Sequence, residues 1–408
     1  MSSVAIVGGG AAGFFAAITC AESNPGLRVS VYERSPQFLA KVRISGGGRC
    51  NVTHGCFEAR DFAKRYPRGE RALIGPFQTF QARDTVDWFR ARGVELKVEE
   101  DGRMFPVTDS SQTIIDCLMG AARSAGVSLH ASRGIDRVER TEGGGYRLTL
   151  SDGAQVEHQR LLIATGGCRA QAVGDLITSL GHTIEAPVPS LFTFHVNLPW
   201  LNELAGVSVN PVSVSVVGTS LKETGPLLVT HVGLSGPVIL RVSAWGARAL
   251  HASDYRFKLL VNWLPEMSLE ALGKALEEVR SRNPAKQICN APMRAIPSRL
   301  WEKLVEAAGI GRETRWSNLS RSAQHQLVQQ ITRGEFEVSG KTMNKDEFVT
   351  CGGVRLSEVN FKTMESKVSP GLHFAGEVLD IDGVTGGFNF QAAWTTGWLA
   401  GRAMAVVR

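Results

Sequence analysis

The chain has 408 residues, 43% of them apolar and 21% charged, with a formal net charge of +6. That is too long for one ordinary core, so two or three domains are expected, and the balance is that of a globular enzyme. No run of about twenty apolar residues occurs to span a bilayer, so no membrane partner is expected. Seven cysteines, an odd number without a C-x-x-C pair, argue against a disulfide framework, a zinc site or a dithiol centre; a cytoplasmic location without metal is expected.

The first element is the most informative. Val4-Ala5-Ile6-Val7 reads as a buried strand that breaks at Gly8-Gly9-Gly10-Ala11-Ala12-Gly13, a G-x-G-x-x-G turn opening a helix. In that pattern Gly8 makes the tight turn, Gly10 lets the backbone approach a pyrophosphate, and Gly13, after Ala12, lets the helix pack on the strand. The N–H groups of the helix start then hold phosphate without a basic side chain. A second strand, Val29–Tyr32, ends on Glu33, twenty residues past Gly13, where a carboxylate should accept the adenosine ribose hydroxyls and disfavour a 2′-phosphate. The apolar start is taken up by this fingerprint and carries no basic leader, so a secretory signal is not expected.

The loop from Lys41 to His54 contains Ser45-Gly46-Gly47-Gly48-Arg49-Cys50-Asn51. Three successive glycines cost ordering entropy, so the loop is read as backbone wrapping over a flat ring or a phosphate. Cys50 is either a nucleophile or flavin anchor, or a small packing residue. Arg60, Lys64, Arg65, Arg68 and Arg71 interleave with Phe62 and Tyr66, a nucleic-acid footprint or a solvated basic face. Helices are expected over 84–92 and 112–124, the second closed by Gly126. Tyr146–Leu150 alternates into a Ser151-Asp152-Gly153 turn, a hairpin signal. Leu161–Ile163 is a second buried strand, stopping at Ala164-Thr165-Gly166-Gly167, another close backbone approach.

Composition shifts at residues 186–189. Beyond it, 193–196 and 207–217 alternate strictly, as half-exposed antiparallel strands of a small β domain or barrel do. Residues 268–333 are expected to be helical: Ser268 caps one helix, Pro297-Ser298 opens another and Gly334 ends a third. This segment holds eleven Lys/Arg, Arg280, Arg282, Arg294 and Arg299 among them, against six Glu and no Asp. Strands return from Phe348, and Leu372–Glu377 runs into a turn. The stretch Phe390–Val407 is an apolar-periodic helix. The fold class is therefore α/β: a discontinuous Rossmann FAD domain (1–186 and 349–408), a β-barrel-like domain (187–267 and 334–348) and a helical insertion (268–333). Glu377 is placed to hydrogen-bond a ribityl chain. The amides near Gly386 and Gly387, at the start of the last helix, are placed near the flavin carbonyl that becomes negative on reduction. Support from both the first and the last strands suggests FAD rather than NAD. His231, within Leu227–Pro237, is a proton donor over the flavin or a structural histidine.

Lys41 with Ser45–Thr53, Gly102–Pro106, Thr230–Pro237, Thr350–Val354, Thr363–Lys367, Phe374–Gly383 and Gly386–Gln391 together resemble the BaiN/RdsA-like FAD-dependent oxidoreductases, also called the aminoacetone oxidase family, across essentially the whole chain. The resemblance implies a glutathione-reductase-type FAD domain interrupted by a barrel-like domain that carries a helical insertion. The cofactor-binding set is then Gly8, Gly10, Ala12, Gly13, Glu33, Lys41, Ser45, Gly46, Gly47, Gly48, Arg49, Asn51, Thr165, Gly166, Gly376, Glu377, Gly386, Gly387, Phe388 and Asn389. Arg49, Cys50 and His231 are the catalytic candidates.

Two departures stand out: Cys168–Asp175 is shorter than the family's usual stretch, and Phe388 replaces a tyrosine, so the chain resembles a short-loop branch whose substrate side differs. The resemblance implies hydride transfer between flavin N5 and a substrate carbon. The leading substrate is a ribosomal RNA uridine, reduced to dihydrouridine, with NAD(P)H as transient donor and RNA contacts through 268–333 and 60–71. A small-molecule enone reductase or amine oxidase, and a non-catalytic flavin-binding sensor, are the alternatives. No second G-x-G-x-x-G exists, so a nicotinamide would share the substrate cleft; an oxidase would need none.

Overall fold

The structure, a computed structural model, describes residues 2–293, 295–342 and 349–406. Arg294, Phe348 and Val407, along with the rest of 343–348, lie outside the described residues. The chain divides into two compact units, Met1–Ser190 with Lys345–Arg408, and Leu191–Asn344.

The first unit is built on a seven-stranded sheet in the order Val359–Asn360, Glu365–Ser366, Leu372–Phe374, Arg160–Ile163, Ser3–Val7, Arg28–Tyr32, Ser128–His130. The last five are mutually parallel, with Ser3–Val7 at their centre. Every residue of that central strand is buried, as a parallel strand covered on both faces requires. It feeds the helix Ala11–Ser23, which packs along the last helix, Phe388–Ala405. Gly397 and Gly401 permit the approach: a Cβ on either would lie 2.6 Å from the carbonyl oxygen of Ala12 or Ala16. Trp394 meets Phe15 across this seam, ring centres 5.3 Å apart. Each such buried aromatic stabilises the seam by about 1.5–3 kcal/mol, so the two ends of the chain share one core.

Around this sheet lie the meander Ile135–Arg140, Tyr146–Leu150, Gln155–His158 and a three-stranded sheet of Thr53–His54, Arg103–Pro106 and Leu96–Val98. Helices span Ala82–Arg90 and Ser111–Ser124. Residues Ile184–Ser190 form a strand antiparallel to Val349–Val354. That ladder binds 184–190 into the first unit, so the division falls after Ser190 rather than at 186.

The second unit is a closed antiparallel barrel in the order Thr193–Val196, Gly233–Ser235, Lys222–Thr230, Ser208–Val216, Phe257–Asn262, Gly334–Thr342. Between the last two of these strands the chain forms the helices Leu269–Arg282, Ser298–Ala307 and Arg321–Arg333, with Ser268 accepting from the Ala271 amide as the first cap. One apolar core runs through both parts: Val214, Leu259 and Trp263 from the barrel join Leu276, Trp301, Trp316 and Leu327 from the helical segment. The Trp301 indole donates to Ile288 O at 2.7 Å. The helical segment is thus not a free-standing body.

Candidate flavin site

The glycine-rich turn sits at the C-terminal end of the central strand, where open parallel sheets bind ligands. Gly8 adopts φ +111°, and a Cβ on Gly13 would lie 2.0 Å from Gly8 O, so turn and helix interlock. Gly10 is different. Its φ is −91°, and a Cβ there would meet nothing within 4 Å. Neither backbone strain nor a protein neighbour asks for glycine at that position; open space above it fits a pyrophosphate. Glu33 is held at the end of the next strand, accepting from the Gly9 amide at 2.7 Å and the Ser35 amide at 2.8 Å. Its remaining lone pairs fit hydroxyl donors. Ala12 abuts the turn of the last strand: a Cβ on Gly376 would come within 2.9 Å of Ala12 Cβ.

Beside this turn, Lys41 Nζ pairs with Glu377 Oε2 at 2.7 Å, and the Thr350 amide donates to Glu377 Oε1 at 2.8 Å. Gly166 and Gly167 lie against the same carboxylate, a Cβ on Gly167 falling 3.0 Å from Glu377 Oε1. Thr165 Oγ1 is buried without a hydrogen-bond partner. An orphaned buried hydroxyl is uncommon, and here it fits a polar group of a bound cofactor.

The loop of three glycines and the loop before the last helix are joined. Gly46, Gly47 and Gly48 adopt φ of +58°, +68° and +84°. Ser45, at ψ 146°, breaks the preceding helical turn. Asn51 donates to Thr53 O at 3.1 Å and accepts from the Gly387 amide at 2.9 Å. The Gly387 N–H, expected near a flavin carbonyl, is therefore engaged by Asn51, leaving Gly386 and the helix start for that role. Asn389 brackets Gly383, accepting from its amide at 2.8 Å and donating to its carbonyl at 2.9 Å, so it acts as a clamp on the loop.

Tyr66 donates to Phe388 O at 2.6 Å, and the Phe388 ring stacks on His54 with centres 4.8 Å apart. His54 Nδ1 accepts from the Cys56 amide while Nε2 donates to Asp101 O at 3.1 Å. Burial, and the nearby Arg65, hold its pKa down. The His54 ring, held toward its neutral form, stacks on Phe388.

The catalytic candidates fare differently. Cys50 is wholly buried, and burial pushes its thiol up to about 12. Full burial and a thiol held protonated at neutral pH fit the packing reading of Cys50 rather than the nucleophile or anchor reading. Arg49 donates to Glu99 at 2.6 Å and to Asp109 at 3.4 Å, and its guanidinium lies 3.9 Å from the centre of the Phe105 ring. Its donors are thus directed to carboxylates of its own neighbourhood. His231 belongs to the other unit, exposed in the turn between Lys222–Thr230 and Gly233–Ser235.

The basic stretch 60–71 is also revised. Phe62 and Tyr66 are 2% and 0% exposed, so they face inward and offer no stacking surface to a base. Arg68 points inward too. Its Nε donates to Asp382 Oδ1 at 2.5 Å, its Nη2 pairs with Oδ2, and Ser190 Oγ donates to the same Oδ2 at 2.8 Å. Arg60, Arg65 and Arg71 remain exposed. The sequence offered no sign of the Arg68–Asp382 pair. The i, i+4 spacing of Phe62 and Tyr66 was the available signal that one face of this segment is buried.

A parallel sheet, a glycine-rich turn, an acid at the end of the next strand, and a final strand and helix returning to that turn define an FAD-binding Rossmann-type flavoenzyme. The chain matches the HI0933-like protein Rossmann domain family over residues 2–403 and belongs to it, a family of FAD-dependent oxidoreductases. It is 30% identical to a ribosomal RNA dihydrouridine synthase of Escherichia coli, covering 96% of this chain and 95% of that one. It is 27% identical to a 3-dehydro-bile acid delta(4,6)-reductase of Clostridium scindens, covering 99% of each. Among solved structures, a 3-ketosteroid-delta4-(5alpha)-dehydrogenase of Rhodococcus jostii shares the fold, with a TM-score of 0.52 at 15% identity, covering 100% of this chain and 97% of that one. Among the described residues no helix is long and apolar enough to cross a membrane.

Proposed function

We propose that this oxidoreductase reduces a carbon–carbon double bond in a uridine of ribosomal RNA, giving dihydrouridine, in the cytoplasm and with NAD(P)H as donor. The observation that supports it most is the likeness along nearly the whole chain to the E. coli synthase, which includes the barrel and helical unit as well as the nucleotide fold. FAD, when bound, supplies hydride exchange at its N5. The chain's own residues hold and orient: the turn at Gly8–Gly13 takes the pyrophosphate, Glu33 the ribose, and Thr165, Lys41 and Glu377 the polar chain between. The start of the last helix, with Gly386, favours negative charge on the ring carbonyl.

The helical segment supplies the RNA face in this reading. Lys274, Arg282, Lys303 and Arg312 are neutralised in ion pairs with glutamates, and Arg280 and Arg299 donate to the carbonyls of Ser317 and Glu203. Lys286, Arg315 and Arg321 are exposed and form no ion pair among the described residues, so they are the phosphate contacts.

A second reading, reduction of a small enone, draws on the equally complete likeness to the C. scindens reductase. Anaerobic incubation of the FAD-loaded protein with NADH or NADPH separates them. Dihydrouridine formed in an unmodified ribosomal RNA transcript supports the first reading; no dihydrouridine, with turnover of a 3-oxo-Δ4 steroid, replaces it with the second.

A further inference from the structure

The loop Ser45–Cys50 has an unusual construction. Three glycines in a left-handed run have no side chains with which to hold themselves, and glycine loses more freedom on ordering than any other residue. Yet the loop is fixed at both ends on one ring. On one side Gly46 rests against Phe105, where a Cβ would fall 3.0 Å from Cε1. On the other, the Arg49 guanidinium lies over the Phe105 ring at 3.9 Å. Phe105 itself is wholly buried on the strand Arg103–Pro106.

Arg49 is in turn held in place. Glu99 and Asp109 accept from it, while Arg103 pairs with Glu99 at 3.2 Å and Lys97 pairs with Asp109. Between the two fixed points, Cβ atoms built on Gly47 and Gly48 meet nothing within 4 Å, so the free part of the loop faces open space. A guanidinium stacked on an aromatic face and forked to carboxylates is geometrically committed in a way an ammonium is not.

We propose that Arg49 is a positioning residue: clamped on Phe105, it pre-orders the Gly46–Gly48 backbone for FAD and does not itself touch the reacting atoms. This rests on the reading that the loop faces the cofactor. Its work is done before binding, since a ligand that meets an ordered loop does not have to order it.

The test uses the full chain stripped of FAD and re-titrated with FAD, following flavin fluorescence and visible circular dichroism. Arg49→Met should weaken FAD binding by about tenfold or more and slow its association, while the melting temperature of the apoprotein stays close to wild type. Phe105→Leu should reproduce the effect, and the double variant should add little to either single one, as coupled residues do. Arg49→Lys, which keeps the charge but not the planar stack, should fall in between. Should Arg49→Met fail to fold, Phe105→Leu and Glu99→Gln carry the same test. Unchanged FAD affinity and an unchanged dichroism spectrum in these variants would overturn the proposal. A large loss of turnover at saturating FAD with affinity intact would do so as well, by making Arg49 catalytic. Failure of the underlying reading looks different: Gly47→Ala and Gly48→Ala, whose Cβ atoms enter the space the loop faces, would then leave FAD affinity at the wild-type level as well, whereas a loop that faces FAD loses affinity in them whatever Arg49 does.

Discussion

Arg68 and Asp382, 314 residues apart in the chain, form a forked ion pair whose side chains are 10% and 0% exposed. The pair ties the segment after the helix Ala59–Ala63 to the loop that leads into the last helix. Nearby contacts reinforce it: the Val384 amide donates to Arg65 O at 2.9 Å, and Ser190 adds its hydroxyl to the same carboxylate. Burial pushes the Asp382 carboxyl up to about 6, against the pull of Arg68. Removing one partner of a buried pair leaves the other uncompensated, so Arg68→Met should cost about 3–5 kcal/mol in urea unfolding. Replacing both, as Arg68→Met with Asp382→Leu, should recover part of it. A loss below about 1 kcal/mol for the single variant, the range of an exposed pair, would show that the pair does not anchor this loop.

The glycines of the first turn should separate by what surrounds them. Gly10→Val should leave the apoprotein's melting temperature nearly unchanged, because its Cβ enters open space, yet give colourless protein. Gly13→Val should destabilise the apoprotein itself, because its Cβ would meet Gly8 O. Melting curves with absorbance spectra of the purified variants check both. A yellow Gly10→Val protein counts against the pyrophosphate assignment.

His158 gives a pH signature of the first unit. Its buried ring lies with Nε2 3.0 Å from Tyr32 Oη, and burial holds its pKa at about 4 against an ordinary 6.5. The unfolded chain therefore takes up a proton below pH 6.5 that the folded chain refuses. This contribution is fully present above pH 6.5 and is lost as pH falls toward 4, by at most about 3 kcal/mol. Urea midpoints across that window should show a shallower decline for His158→Gln than for wild type; identical slopes would assign the acid sensitivity elsewhere.

If the helical segment meets RNA, the ion pairs decide which cations count. Substituting Lys286, Arg315 and Arg321 by Ala should lower the slope of log affinity against log salt by about 2. The same change at Lys274 and Arg282, already paired with Glu270 and Glu278, should alter it less. An unchanged slope in the triple variant removes the electrostatic support for an RNA partner.

Much of the architecture was legible because it is local. A buried apolar run breaking into spaced glycines, strict alternation over 207–217, and caps at Ser268 and Gly334 are each fixed by neighbours a few residues away, and the strand, barrel and helices lie where those signals fall. What was not legible depends on distant partners. Nothing near Arg68 in sequence distinguishes it from exposed Arg65; only Asp382 does, and it arrives with the last strand. Cys50 in a glycine-rich loop reads equally as a reactive thiol or a packing residue, because sequence carries no measure of burial. Nothing in sequence shows that the Gly387 amide is taken by Asn51, 336 residues earlier. The shared core of barrel and helices, through Trp263, Trp301 and Trp316, is likewise a property of the folded unit rather than of any segment.

The most direct test of the central claim is the dihydrouridine content of ribosomal RNA from cells with the gene intact, deleted, or restored, measured by nucleoside mass spectrometry. Deletion should remove a dihydrouridine, the wild-type gene should restore it, and the Gly10→Val gene should not. Equal dihydrouridine in the deleted and intact strains would contradict that claim.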